Sequence, residues 1–145
     1  MEQTTRPLFV FQLGDITLSV DATAVEAVTH WRSATPLPHL PGHYRGLINH
    51  DQSALIVLDL HRFLTLDSDE STQPTGIVVV HSGDLRAGVP VQRSLGITHI
   101  DGDSLEPPSS MRSGKLGEFL SGQWEYNETP CGLLSIDQLL EAARV

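Results

Sequence analysis

The sequence predicts an all-β fold, a barrel or sandwich, closed by one amphipathic helix. Three observations predict it. Short runs of β-branched, aromatic and aliphatic residues recur between turn signals, roughly every 8–12 residues. Several alternate apolar and polar residues with the period of a half-buried strand. Helical spacing is sustained only at the C-terminal end.

Each element follows in order. Leu8-Phe9-Val10-Phe11-Gln12-Leu13 reads as a strand, Gly14-Asp15 as a turn, and Ile16–Val20 as a strictly alternating second strand, so the two form a hairpin. Asp21 is placed to cap a short helical turn over residues 21–25, and 27–31 returns to strand. Residues 35–42, TPLPHLPG, hold three prolines, which remove ladder donors and fix φ, so this is an ordered loop or edge segment. Tyr44–Asn49 and Ala54–Leu58 are strands on either side of a polar insert, Asn49-His50-Asp51-Gln52-Ser53. Asp59 caps one or two helical turns to Leu64, and residues 67–75 read as a solvated acidic loop.

Thr75–His81 and Leu85–Val91 make a hairpin around Ser82-Gly83-Asp84, and Leu95–Ile100 is a further strand. Residues 101–117 are the longest irregular stretch. Glu118–Tyr126 and Cys131–Leu134 form the last hairpin. Ser135-Ile-Asp-Gln138 matches a capping box, with Ile136, Leu139, Leu140 and Ala143 at helical spacing behind it. LIVLDLHRFL and CGLLSIDQLL each run strand, polar cap, helical turn. That echo suits two small barrels packed on each other.

A chain of 145 residues, 39% hydrophobic and 19% charged, suits one domain spanning 1–145 with a real core. Eighteen acidic against nine basic residues give a net charge of -9. That favours solubility and argues against nucleic acid or an anionic membrane as the main partner, since both need a basic surface. The single cysteine, Cys131, excludes an internal disulfide and reads as a buried strand thiol. The N-terminus lacks the pattern of a signal peptide, and no apolar run is long enough to span a bilayer. A cytoplasmic location is expected.

No catalytic constellation emerges. His39 and His43 sit among prolines and glycine that exclude a regular helix, and no HExxH is present. His50-Asp51 and Asp59-Leu60-His61 each could form an acid–base pair, but neither adjoins a nucleophile motif, and there is no GxSxG. Gly14, Gly42, Gly46 and Gly83 read as isolated turn glycines, and the histidines as solvated loop residues. No enzyme activity, cofactor or metal is expected. A small β protein of this kind binds other molecules.

The serial order of motifs resembles the CheW family, the coupling proteins of bacterial chemosensory arrays, across nearly the whole chain. Phe9-Val10-Phe11-Gln12-Leu13-Gly14-Asp15 is similar to the family's opening strand and turn. Val25-Glu26-Ala27-Val28 falls at its V-x-E-[IV] motif, and Gly46-Leu47-Ile48-Asn49 follows at the family's spacing from Pro41. Leu55–Leu60 resembles "vlPvvDL", 88–97 resembles "GllVDeVlgV", and Leu133–Leu140 resembles "llDlekLL". The resemblance implies two intertwined five-stranded SH3-like β-barrels around a shared apolar seam, closed by a C-terminal helix. It also implies a non-catalytic adaptor bridging chemoreceptor cytoplasmic tips to a CheA-type histidine kinase. One barrel would pair with the kinase's regulatory domain in ring-like arrays, and a groove would take the receptor's helical hairpin.

Departures from the family concentrate where partners would touch. The motif's Glu is Ala27, with Glu26 one position early; in extended chain that aims Glu26 at the other face. The family's N-L-R-G becomes Asn49-His50-Asp51-Gln52, so Asp51 stands in place of Arg. The Pro after "vl" is Ile56, and V-D-x-V becomes Val91-Gln92-Arg93-Ser94. Ser135 replaces the Asp before the last helix. The candidate partner-binding residues are therefore Val25, Glu26, Ala27, Val28, Asn49, His50, Asp51, Gln52, Val91 and Arg93. The expected function is an adaptor coupling receptor and kinase, or a specialised partner. A small-molecule-sensing β-barrel regulator using the inter-barrel cleft is the alternative.

Overall fold

The structure, a computed structural model, describes residues 5–66, 73–109 and 114–144. Most of the acidic loop expected at 67–75 thus lies outside the described residues. Ten strands form two five-stranded sheets among them. The first contains β1 (Thr5–Leu13) and β2 (Ile16–Asp21). The second is a continuous insertion: β3 (Val25–His30), β4 (Tyr44–His50), β5 (Ser53–Leu58), β6 (Gly76–Ser82) and β7 (Leu85–Val91). The chain then returns to the first sheet with β8 (Arg93–Asp101), β9 (Leu120–Tyr126) and β10 (Thr129–Leu134). Among the described residues three α-helices punctuate it: α1 (Leu60–Phe63), α2 (Gly114–Glu118) and α3 (Ile136–Ala143).

The strand orders, β8-β1-β2-β10-β9 and β3-β6-β7-β5-β4, superpose element on element. In each sheet one pairing is parallel, β10 with β2 and β5 with β7. The equivalence reaches single residues. β4 and β9 carry the same burial pattern, and each has a bulge before a glycine, at Arg45 before Gly46 and at Ser121 before Gly122. Each is crossed next to that glycine by an incoming segment, Thr35 onto Leu47 and Glu106 onto Gln123. Each hairpin turns through two residues of positive φ, Asp51-Gln52 and Asn127-Glu128. The echo between residues 55–64 and 131–140 is thus a repeat of architecture.

The continuous apolar runs have a simple origin: both faces of these strands are buried, so alternate side chains enter different cores. Leu8 and Val10 point into the first barrel with Ile100, Trp124, Cys131 and Leu133. Ile77 and Val79 point into the second with Ile48, Leu55 and Val57. Their neighbours Phe9, Phe11, Val78 and Val80 meet in the seam between the sheets, where Leu139, Leu140 and Ala143 of α3 also bury. Gln92, alone between β7 and β8, marks the crossing. Its amide donates to the Gln12 carbonyl, its Oε1 accepts from Gly14 N, and its carbonyl accepts from Thr75 Oγ1.

Several local expectations change. Asp21 and Asp59 do cap, accepting from Thr23 N and Arg62 N. Ser135 holds the N-cap position but its hydroxyl makes no cap bond; its carbonyl accepts from Leu139 N, and its own N–H donates to the Phe119 carbonyl. Residues 101–117 are not uniformly irregular: a 3-10 turn spans Gly102–Ser104, Glu106 bridges to Gln123, and α2 follows. Gly46 is no turn glycine. It lies inside β4 at φ +133, where a Cβ would sit 2.1 Å from the Thr35 carbonyl oxygen.

Candidate protein-interaction surface

The polar insert resolves into a tight hairpin tip. β4 and β5 extend to His50 and Ser53, which pair directly, leaving Asp51 and Gln52 as the two turn residues. Their φ values, 50 and 66, match the type I′ turn that fits the twist of a two-residue hairpin. The tip is narrower than the five-residue insert suggested. The Asp51 side chain is 89% exposed.

His50, by contrast, is folded back. Its side chain is only 11% exposed, and its Nε2 lies 3.7 Å from a Glu26 carboxylate oxygen and 3.9 Å from Asp51 Oδ2. Neither is a hydrogen bond. Glu26 is held elsewhere: Arg86 Nε and Nη2 reach its two oxygens at 3.0 and 2.5 Å. That guanidinium, hydrogen-bonded to it, holds the Glu26 carboxyl below its usual value, and the same pairing raises the Arg86 value. The barrel's two edge strands, β3 and β4, thus meet at a polar cluster running from the Arg86–Glu26 ion pair to His50 and Asp51.

Two bulges decide what else this face presents. Register shifts between Val25 and Ala27, leaving Glu26 as the extra residue. Val25 packs on the seam core and Ala27 on the second barrel's core, although a regular strand would send them to one face. Val28 then pairs with seam-facing Val78 and stands on the seam side of its sheet. The first sheet repeats the device. β8 is bulged at Leu95, and Ile97 pairs with seam-facing Phe9. Val28 and Ile97 are 47% and 59% exposed. The seam core therefore surfaces on both edge strands as equivalent apolar side chains.

The other expected residues separate. Gln52 is exposed within the tip, Asn49 is exposed beside it, and Arg93 is exposed at the start of β8. Val91 is fully buried in the seam core, so its side chain offers a partner no surface. His50 and Asp51 make no acid–base hydrogen bond. His43 is not a solvated loop residue: it packs against the rings of Tyr44 and Phe63, at 4.5 and 5.1 Å between centroids. Among the described residues no group of three or more His, Cys, Asp or Glu side chains could hold a metal ion. Arg86 and Ile97 escape sequence reasoning, Arg86 because its partner is 60 residues away and Ile97 because a bulge breaks the alternation that would have flagged it.

Comparison with known proteins settles the family. Residues 7–144 match the family model described as CheW-like domain. The chain belongs to the CheW-like family. It is 34% identical over 139 residues to Protein FrzA of Myxococcus xanthus, spanning 94% of this chain and 86% of that one. It is 27% identical over 117 residues to Chemotaxis protein CheW of Rhizobium meliloti, spanning 81% and 76%. The fold aligns with the crystal structure of the scaffolding protein TtCheW from Thermoanaerobacter tengcongensis at a TM-score of 0.80, covering 92% of this chain and 90% of that one at 22% identity. Like its family, this CheW-like chain is a non-catalytic scaffold of chemotaxis signalling.

Proposed function

We propose that this CheW-like chain, acting as one unit over 1–145, joins the cytoplasmic tips of chemoreceptors to a CheA-type histidine kinase, with partner choice set at the β4–β5 tip. One observation carries the reading: Asp51 projects, almost fully exposed, from the turn where the family presents Arg. The edge-strand residues Val28 and Ile97 offer apolar surface on which a receptor helix can lay its apolar face. At the β4–β5 tip, the exposed Asp51, Asn49 and Gln52 supply the polar contacts that select the partner. A partner evolved to meet Arg at this point presents a carboxylate and is repelled. One adapted to this chain presents a cation. Reversing the charge of a contact costs on the order of 1–3 kcal/mol when the contact is buried. No helix of the described residues is long and apolar enough to cross a membrane. The proposed place of action is the cytoplasm, at receptor arrays.

The test measures affinity for a kinase regulatory domain and a receptor-tip fragment from a standard chemotaxis system, using wild type, Asp51→Arg and Ile97→Asp. Asp51→Arg is expected to tighten binding about tenfold, and Ile97→Asp to abolish binding of the receptor fragment. Tight wild-type binding that Asp51→Arg leaves unchanged would sink the altered-partner reading.

A further inference from the structure

Away from the tip, between α1 and α2, lies a cleft of about 420 Å³ lined by Gly42, His43, Arg62, Phe63, Thr65 and Lys115. Its charge is at odds with the rest of the chain. The protein carries a net charge of -9 and only nine Lys and Arg, and two of those nine line this one cleft. Lys115, the sole lysine, places its Nζ 3.8 Å from the Phe63 ring centroid, a cation–π contact that orders the ammonium without neutralising it.

Arg62 is only partly compensated. Its Nε lies 3.7 Å from Asp59 Oδ2, and the same oxygen takes a shorter bond, 2.9 Å, from Arg45 Nε. One buried carboxylate thus serves two guanidinium groups. The remaining Arg62 contact is a long one, 3.4 Å, from Nη1 to the Gly42 carbonyl. His43 lines the same cleft, its ring packed against Tyr44 and Phe63. Positive charge exceeds negative among these groups, and they ring a space large enough for a small ligand.

We propose that this cleft binds a compact anionic group, a carboxylate or phosphate, with Arg62 and Lys115 as its charge partners and His43 in its wall. Arg62 supplies planar donors and Lys115 a point charge, the two cationic modes that recognise such oxygens. The anion comes either free or as an acidic side chain of a protein partner, and the experiment separates the two.

The full chain is titrated with inorganic phosphate and, separately, with a tri-glutamate peptide at fixed ionic strength, following backbone amide resonances. The expected result is saturable shifts at Gly42, His43, Phe63, Thr65 and Lys115 with at least one titrant. The apparent affinity should fall at least tenfold in Arg62→Gln/Lys115→Gln and stay unchanged in Arg6→Gln, an arginine of β1 that does not line the cleft. Saturation by phosphate assigns a free anion; saturation by the peptide alone assigns an acidic side chain. Linear shifts at all cationic positions, or saturation that survives the double variant with its dispersed spectrum intact, would overturn the proposal.

Discussion

Arg86 on β7 grips Glu26 on β3 with two hydrogen bonds, at 3.0 and 2.5 Å, reaching across the intervening β6. The pairing holds the Glu26 carboxyl below its ordinary value, so the folded state binds its proton less readily than the unfolded chain does. Such a group adds stability that is fully present above the unfolded pKa and is lost as pH falls through the folded one. In Arg86→Gln the Glu26 carboxyl should titrate higher, nearer an ordinary glutamate. Carbon-detected NMR titration of the side chain reads this directly. An unchanged Glu26 titration would show that the bidentate pair does not form in solution.

Gly46 is required by closeness as well as by φ. A Cβ there would meet the Thr35 carbonyl at 2.1 Å, where Thr35 and Leu47 exchange two backbone hydrogen bonds to close the second barrel. Gly46→Ala must therefore break that bridge or distort β4, at a cost of roughly 2–4 kcal/mol. Gly42→Ala is the control. Nothing lies within 4 Å of its Cβ position, and it should change stability by less than about 0.5 kcal/mol. Urea midpoints of the two variants make the comparison.

The first barrel hides one polar relay. Trp124 Nε1 donates to Ser19 Oγ at 3.0 Å, and Ser19 Oγ donates to the Gly132 carbonyl at 3.0 Å, with Ser19 wholly inaccessible. Ser19→Ala strands the indole donor and should cost about 1–3 kcal/mol. Adding Trp124→Phe to Ser19→Ala removes the stranded donor, so the double variant should lose less than the sum of the singles. Strict additivity in chemical denaturation would mean the two side chains do not interact.

Such relays mark where the sequence stops being readable. Local signals carried well: Gly14-Asp15 and Gly83-Asp84 turn where their composition indicates, and Ile136, Leu139, Leu140 and Ala143 bury one face of α3. The apolar run of β6 signalled a buried strand without saying that Val78 and Val79 enter different cores. Pairing of distant strands, as of β10 with β2, leaves no trace in periodicity. The bulges at Glu26 and Leu95 actively mislead, because one extra residue reverses the faces downstream. At the candidate site, motif order located Asp51 and Val28. It could not disclose that Val91 is sealed in the seam, or that Arg86 anchors Glu26.

The tip itself is strained for its residue types. Asp51 and Gln52 both sit at positive φ, 50 and 66, which suits Asn-Gly better than Asp-Gln. Glutamine pays a steric penalty there that glycine does not. Gln52→Gly should stabilise the fold by about 0.5–1 kcal/mol while leaving Asp51 in place. Thermal unfolding measures the gain. Partner affinity unchanged in the same variant would show that Gln52 shapes the turn without contacting the partner.

Cys131 gives the clearest dependence on alkaline pH. Its side chain is wholly inaccessible in the first barrel core, and burial pushes the thiol up to about 11. The folded state thus keeps a proton that the unfolded chain releases near 9.0. Between those values the folded form binds more protons, so stability falls as pH rises, by roughly 2–3 kcal/mol across the window. Tyr44 is a second alkaline group, also pushed up by burial, so the measurement compares wild type with Cys131→Ala. The difference in unfolding free energy should shrink from pH 8 to pH 11, because only the wild type carries this penalty. Native protein should also resist alkylation by iodoacetamide at pH 8 and react once unfolded, since the nucleophile is the thiolate. A difference that stays flat with pH, together with rapid native labelling, would place the thiol in contact with solvent.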